Sequence, residues 1–343
     1  MRGRSDGAAD LARSTRVARD PASDAGTGLT RQPIWRCGLL AALVWLAIAW
    51  STARWADVGD VGPAGLLAGC MATIGLGLLV ATFAHLYVDL PRLVRAGPWL
   101  ITLALLLGLW ELVTAKLDLL PRPFFATPQS LLEVYEDDWL RLGECTLRSV
   151  ILLVTGYSIG ATLGFLTGVA IGWSRGIGYW VHPVLRFIGP LPATAWLPMA
   201  FFAFPSSWSA GVFLITLATG FPVAVLTWSG VASVNIAYYD VARTLGARPG
   251  FLILRVAIPA AMPSVFVGLF MGLGASFAVL VVAEMMGVKA GLGWYLSWAQ
   301  GWAAYPNMYA ALLVMALMCS GLITLLFRLR DRLLSWQKGL LNW

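Results

Sequence analysis

Charge is scarce in this sequence. Only 12% of its 343 residues are charged, against ~25% in a soluble globular chain. The lysines number three, Lys116, Lys289 and Lys338. With so few there is no G-x-x-x-x-G-K-[ST] loop, so the chain cannot cradle nucleotide phosphates in that way. The two histidines, His85 and His182, are too far apart for an H-E-x-x-H zinc site and support no Ser/His/Asp set. No metal, cofactor or catalytic residue is therefore expected. Cys37, Cys70, Cys145 and Cys319 lack metal or redox spacing and read as small apolar residues. The net charge of +7 is not a nucleic-acid signal. Its arginines sit in the N-terminal tail and in loops, where membrane topology places them.

What the chain has in quantity is uncharged apolar sequence. Residues 187–239 contain no Asp, Glu, Lys or Arg, and neither do residues 256–283. A ~30 Å hydrocarbon layer takes about 20 apolar residues to cross as a helix. The fold class is thus an all-α polytopic membrane protein of about eight transmembrane helices, expected over 37–53, 65–88, 97–115, 149–173, 187–204, 210–233, 256–283 and 308–327. Loop charge orders them. Arg54, Asp57 and Asp60 fall outside. Arg92 and Arg95, Arg175 and Arg186, Arg243, Arg248 and Arg255, and Arg328, Arg330, Arg332 and Lys338 fall inside, which puts both termini in the cytoplasm. Residues 1–36 carry seven arginines against four aspartates and little apolar content, and read as a disordered cytoplasmic tail. Residues 37–96 form a two-helix extension, and 97–343 the main transmembrane domain.

Local signals mark this frame. Pro91 is expected to end the second helix. Thr127 and Pro128 form an N-cap and first-position proline opening a short external amphipathic helix, a surface element or a contact for an external partner. Gly156, Gly160, Gly164, Gly168 and Gly172 recur every fourth residue, so one side of the fourth span admits another backbone closely, as static packing or as a sliding contact. Residues 173–186 are expected to be an inner loop. Pro190, Pro192 and Pro198 should kink the fifth span. Glu284 is expected to end the seventh span. As an ionisable residue at membrane depth it is a candidate for the translocation pathway, or else a carboxylate capping a helix or paired with Arg148 or Lys289. Ser276 and Ser264 are further pathway candidates on the same helix.

The polar island between the two long apolar runs, YYDVARTLGARPGFLILR over 238–255, reads as two short helices. Asp240 is expected in the first turn, Gly246 as a left-handed stop, and Pro249 in the first turn of the second helix. Here the sequence resembles the permeases of ABC importers, whose cytoplasmic motif runs E-A-A, three residues, G, nine residues, I-x-L-P. This chain has Asp240-Val241-Ala242, then Gly246, then Val256-Ala257-Ile258-Pro259, with both gaps matching and with Asp, Val, Val and Ile as close replacements. RVAIPAAMPSVFVGL and VVAEMMGVKAGLGWYL look like the nitrate/sulfonate/taurine/bicarbonate branch.

The resemblance covers roughly 99–338. It implies a six-helix permease core behind the two-helix extension, in the cell inner membrane, acting in a pair. It also implies two cytoplasmic ATPase subunits docked at Asp240, Val241, Ala242, Gly246, Ile258 and Pro259, and a periplasmic solute-binding protein. ATP hydrolysis would lie on the separate subunit, and the solute would be small, an anion such as a sulfonate, nitrate or bicarbonate. A self-contained secondary transporter and a non-transporting membrane scaffold are the alternatives.

Overall fold

The computed structural model describes residues 35–59, 62–85, 90–120, 123–189 and 191–337. The expected tail thus lies almost wholly outside the described residues, as do Asp60, Pro190 and Lys338. All regular structure among the described residues is helical. In chain order the elements are α1 (Arg36–Arg54), α2 (Ala64–Ala84), α3 (Pro91–Lys116), α4 (Pro128–Asp137), α5 (Trp139–Trp173) and α6 (Arg175–Ile188). They continue with α7 (Ala193–Ala203), α8 (Ser207–Ala232), α9 (Ile236–Thr244), α10 (Pro249–Met286), α11 (Leu292–Gly301) and α12 (Tyr305–Leu333). Seven of them, α1, α2, α3, α5, α8, α10 and α12, are long and apolar enough to cross a membrane. The pair α6–α7, bent by 85° at its break, supplies up to one more.

Several boundaries differ from the sequence expectation. Pro91 starts α3 instead of ending α2, since a ring that blocks the helix interior is harmless in the first turn. α5 begins at Trp139, ten residues ahead of the apolar run, because Leu142 and Cys145 turn inward while Arg141, Glu144 and Arg148 stay exposed. Residues 175–186 are helix, not loop, opened by Ser174, whose hydroxyl accepts from Ile177 N at 3.4 Å. In place of the one kinked fifth span that the sequence suggests, the structure has two helices, α6 and α7, that meet at 85°.

The described residues form two compact units, one drawn from 35–51 and 69–106 and the other from 52–68 and 107–337. In the first, Trp45 donates its indole N–H to the Leu100 carbonyl at 3.1 Å, and Gly75 lies against Leu46. The second is organised around α8, which packs against α5 on one side and α10 on the other. Burial by itself does little for helices whose alternative is lipid, so close backbone approach is what holds them. The glycine stripe of α5 supplies it. A Cβ at Gly160 would stand 2.6 Å from the Thr216 carbonyl, at Gly164 2.5 Å from Gly220 and at Gly168 2.6 Å from Ala224. On the other side of α8, Gly268 approaches Pro222 and Val223, and Gly272 approaches Thr219. Polar bonds lock the sandwich. Thr216 donates to the Gly156 carbonyl at 3.1 Å, and Tyr157 to that of Leu269 at 2.8 Å. The Thr219 and Ser276 hydroxyls bond each other.

Candidate functional site

The island departs from this packing. Asn235 caps α9, its Oδ1 accepting from Ala237 N at 3.0 Å. α9 thus opens at Ile236, and Asp240 falls in its second turn rather than its first. Its carboxylate meets Arg243 at 3.5 Å, an exposed pair worth little. Gly246, at φ +81°, stops the helix. The Gly246 N–H bonds the Arg243 carbonyl at 2.9 Å and the Ala247 N–H bonds that of Ala242 at 3.0 Å, the two bonds of a Schellman ending. Arg248 is extended, as the residue before a proline must be, and α10 begins at Pro249. What the sequence suggests as a second short helix is the start of α10. It joins the long span through a π turn over Leu252–Ala257, in which the Ile258 N–H bonds the Ile253 carbonyl. The wider turn lies just ahead of Pro259, which has no N–H to offer.

The base of the island is anchored and its crown is open. Tyr239 packs edge-on against Trp173 at 6.0 Å, beside Val231, Ala257 and Ala261. Burial raises the Tyr239 phenol above its ordinary value. Asp240, Val241 and Gly246 are exposed, Ala242, Ile258 and Pro259 partly so. Around them stand Ile236, Tyr238, Leu245, Phe251 and Leu254, all exposed, with Leu245 83% exposed.

The opposite end of the same helices carries Glu284. α10 runs past it to Met286, so it sits inside the helix instead of ending it, almost wholly buried. Neither Arg148 nor Lys289 is its partner in the hydrogen bonds formed; Arg148 pairs with Glu144. The Glu284 carboxylate accepts from the Ser149 hydroxyl of α5 at 2.7 Å and from the Gly293 N–H of α11 at 2.8 Å. Ser149 Oγ in turn accepts from Leu292 N at 2.8 Å. Together they cap the first turn of α11. Gly291, at φ +141°, lies against the carboxylate, where a Cβ would collide with it, and a Cβ at Gly293 would stand 2.6 Å from the Val281 carbonyl and 2.8 Å from Glu284 Cβ. Ser276 is buried on Thr219, and Ser264 lies against Gly230 of α8. In this conformation all three pathway candidates are helix contacts.

A cavity of about 320 Å³ lies where α6 breaks into α7, bordered by Ile188, Thr194, Phe221, Ala275 and Val279. Its wall is mostly apolar, and among the described residues no charged side chain borders it.

Sequence reasoning missed two further clusters on the Glu284 side. Tyr295 donates to Asp138 at 2.8 Å, while the Asn307 amide donates to both at 3.3 and 2.7 Å, which joins α11 and α12 to the head of α5. Lys116 is buried 2.7 Å from Asp57 and 3.6 Å from Glu111. Glu111 also accepts from Thr52 at 2.7 Å and from Gln129 of α4 at 3.3 Å. The Gly-Leu-Gly that follows Glu284 was a visible hint of the cap. The Lys116 cluster had no local signal, since Thr52 and Asp57 are about sixty residues away.

Spanning helices glued by glycine, and a capped polar loop left open at one end, define a polytopic helical membrane component. The comparisons place it. Residues 160–338 match the family described as binding-protein-dependent transport system inner membrane component, which is more than half of the chain, and the protein belongs to that family. Among its relatives, the bicarbonate transport system permease protein CmpB of Synechococcus elongatus is 30% identical over 193 residues. That match takes in 56% of this chain and 66% of CmpB, just short of two thirds. The nitrate import permease protein NrtB of the same organism is 28% identical over 58% of this chain and 75% of its own. The putative aliphatic sulfonates transport permease protein SsuC of Bacillus subtilis is 25% identical over 69% and 86%. A chain of the MetNI methionine ABC transporter, in an inward-facing form, superposes with a TM-score of 0.48 at 15% identity, over 58% of this chain and 97% of that one.

Proposed function

We propose that this protein is the permease of an ATP-driven importer and that residues 236–259 are where a separate ATPase takes hold. The observation that carries the reading is the island itself. It is a rigidly terminated helix, anchored at its base, with Ile236, Val241 and Leu245 turned away from the chain. A water-facing loop leaves such side chains bare when a partner covers them. Asp240, Val241, Ala242 and Gly246 form the crown, and Ile258 and Pro259 pass its movement into α10. The island end is the cytoplasmic one. Arg243, Arg248 and Arg255 lie there, and the last turn of α12 carries Arg330 and Arg332.

The pathway runs between two copies of the chain, opening alternately to each side, and a solute-binding protein delivers from the far side. The names of the relatives favour a small anion: bicarbonate, nitrate or a sulfonate. The cavity at the α6–α7 break is apolar, bordered among the described residues by no charged side chain, and this fits a reading in which the binding protein selects the solute. Glu284, Ser276 and Ser264 would enter the pathway only in a state where α10 has moved off its neighbours.

The test is co-purification of tagged permease with its cognate ATPase. Gly246→Val forces a β-branched residue into a left-handed conformation and should abolish both ATPase recovery and uptake. Undiminished recovery and uptake in a folded Gly246→Val protein would overturn the reading.

A further inference from the structure

α6 is a helix with three sides, and the transport reading uses none of them. One side faces the protein. Gly178 is buried near Ile171, and the His182 ring sits 4.3 Å from that of Trp228 on α8. A second side carries Ile177, Trp180, Val184 and Phe187, spaced three, four and three residues apart and so aligned on one face. All four are exposed, Trp180 to 76% and Phe187 to 73%. The third is a cationic edge. Arg175, Tyr179 and Arg186 fall within about 40° of one another around the axis, at 3.6 residues per turn. No ion-pair partner for either arginine is found among the described residues, and no acidic residue occurs between Glu144 and Asp240.

Its place in the fold makes this pattern informative. α6 follows directly on Trp173, the residue on which Tyr239 of the island packs, so its N-terminal end lies at the island end of the molecule. It then meets α7 at 85°. A helix turned that sharply from its successor, with a Trp-containing apolar face about 140° around the axis from a basic edge, has the amphipathic design of one lying in the membrane interface.

We propose that α6 lies in the plane of the cytoplasmic leaflet, with Ile177, Trp180, Val184 and Phe187 sunk at the acyl boundary and Arg175 and Arg186 holding anionic phospholipid headgroups. Charge selects this occupant. The basic edge meets a leaflet surface that is negative, whereas a second copy of the chain would bring the same uncompensated arginines. The assignment of leaflet rests on the transport reading, which makes the island end cytoplasmic.

The test uses the full-length chain purified from a membrane containing phosphatidylglycerol, with retained lipid counted by native mass spectrometry. R175Q/R186Q should retain on the order of tenfold less phosphatidylglycerol than the wild type, with retained phosphatidylethanolamine unchanged. A nitroxide at Val184→Cys, in a background without the four native cysteines, should be reached by oxygen and shielded from a water-soluble relaxant. Equal phosphatidylglycerol retention by the double variant would overturn the proposal. So would short-range coupling between nitroxides on two copies, which would make this face a contact between subunits. Neither readout involves an ATPase. Loss of ATPase binding would thus strike the transport reading alone, and unchanged lipid retention would strike this one alone.

Discussion

The two ends of the α5–α8–α10 sandwich treat their side chains in opposite ways. At the Glu284 end, polar groups are buried and bonded to one another: Glu284 with Ser149 and Gly293, Asp138 with Tyr295 and Asn307, Lys116 with Asp57 and Glu111. At the island end, apolar groups are exposed: Val241, Leu245 and Leu254 each show more than half of their surface. The difference separates a region finished within one chain from the region that the transport proposal assigns to a partner. Buried polar groups left without partners cost several kcal/mol, so the first end is held in a single arrangement. Leu245 adds nothing to the fold that holds it.

Substitutions grade the contrast. Lys116→Met should have the largest effect on stability, roughly 3–5 kcal/mol, because Asp57 and Glu111 would remain buried without their cation. Unfolding in detergent micelles followed by circular dichroism would show it, and an unchanged midpoint would mean the cluster is hydrated. Glu284→Ala should cost about 2–3 kcal/mol by leaving the Gly293 N–H and the Ser149 hydroxyl without their acceptor. If it were neutral, the α11 cap would not be what fixes that helix. Asn307→Ala should cost about 1 kcal/mol in the same assay, the value of a hydrogen bond whose partners keep each other.

Alkali offers a finer probe of the same end. Burial holds the Tyr295 and Tyr135 phenols above their ordinary value of 10. Their contribution to stability is complete below that pH and declines as pH rises beyond it, since the unfolded chain then gives up protons that the folded chain keeps. Tyr295→Phe should flatten that decline; an identical slope would assign it to other groups. Leu245→Ser should change stability least, by under about 0.5 kcal/mol, while removing transport. A large loss of stability there would show that the island is part of the core.

Much of this was legible in sequence, for reasons that mark the boundary. Spans are written as uncharged runs. The Thr127 cap, the Gly246 stop and the α5 glycine stripe are local signals, readable within a few residues. The first ten residues of α5 were hidden because its charges and its buried Leu142 and Cys145 share one amphipathic stretch. Three prolines announced a bend in the fifth span, but not that α6 would take residues 175–186 into a helix. The polar clusters were out of reach for a different reason. Ser149 and Glu284 are 135 residues apart, and Thr52 and Glu111 are 59 apart. Such pairs exist only after the helices have met.

The central claim is that a separate protein covers the crown of the island. Replacing Val241 with a photo-crosslinking benzoylphenylalanine in the assembled, purified transporter tests it at the residue concerned. Irradiation should join the permease to the ATPase subunit, and the adduct should vanish when Gly246→Val is combined with it. Adducts with lipid alone, or none while the transporter still imports, would contradict the account.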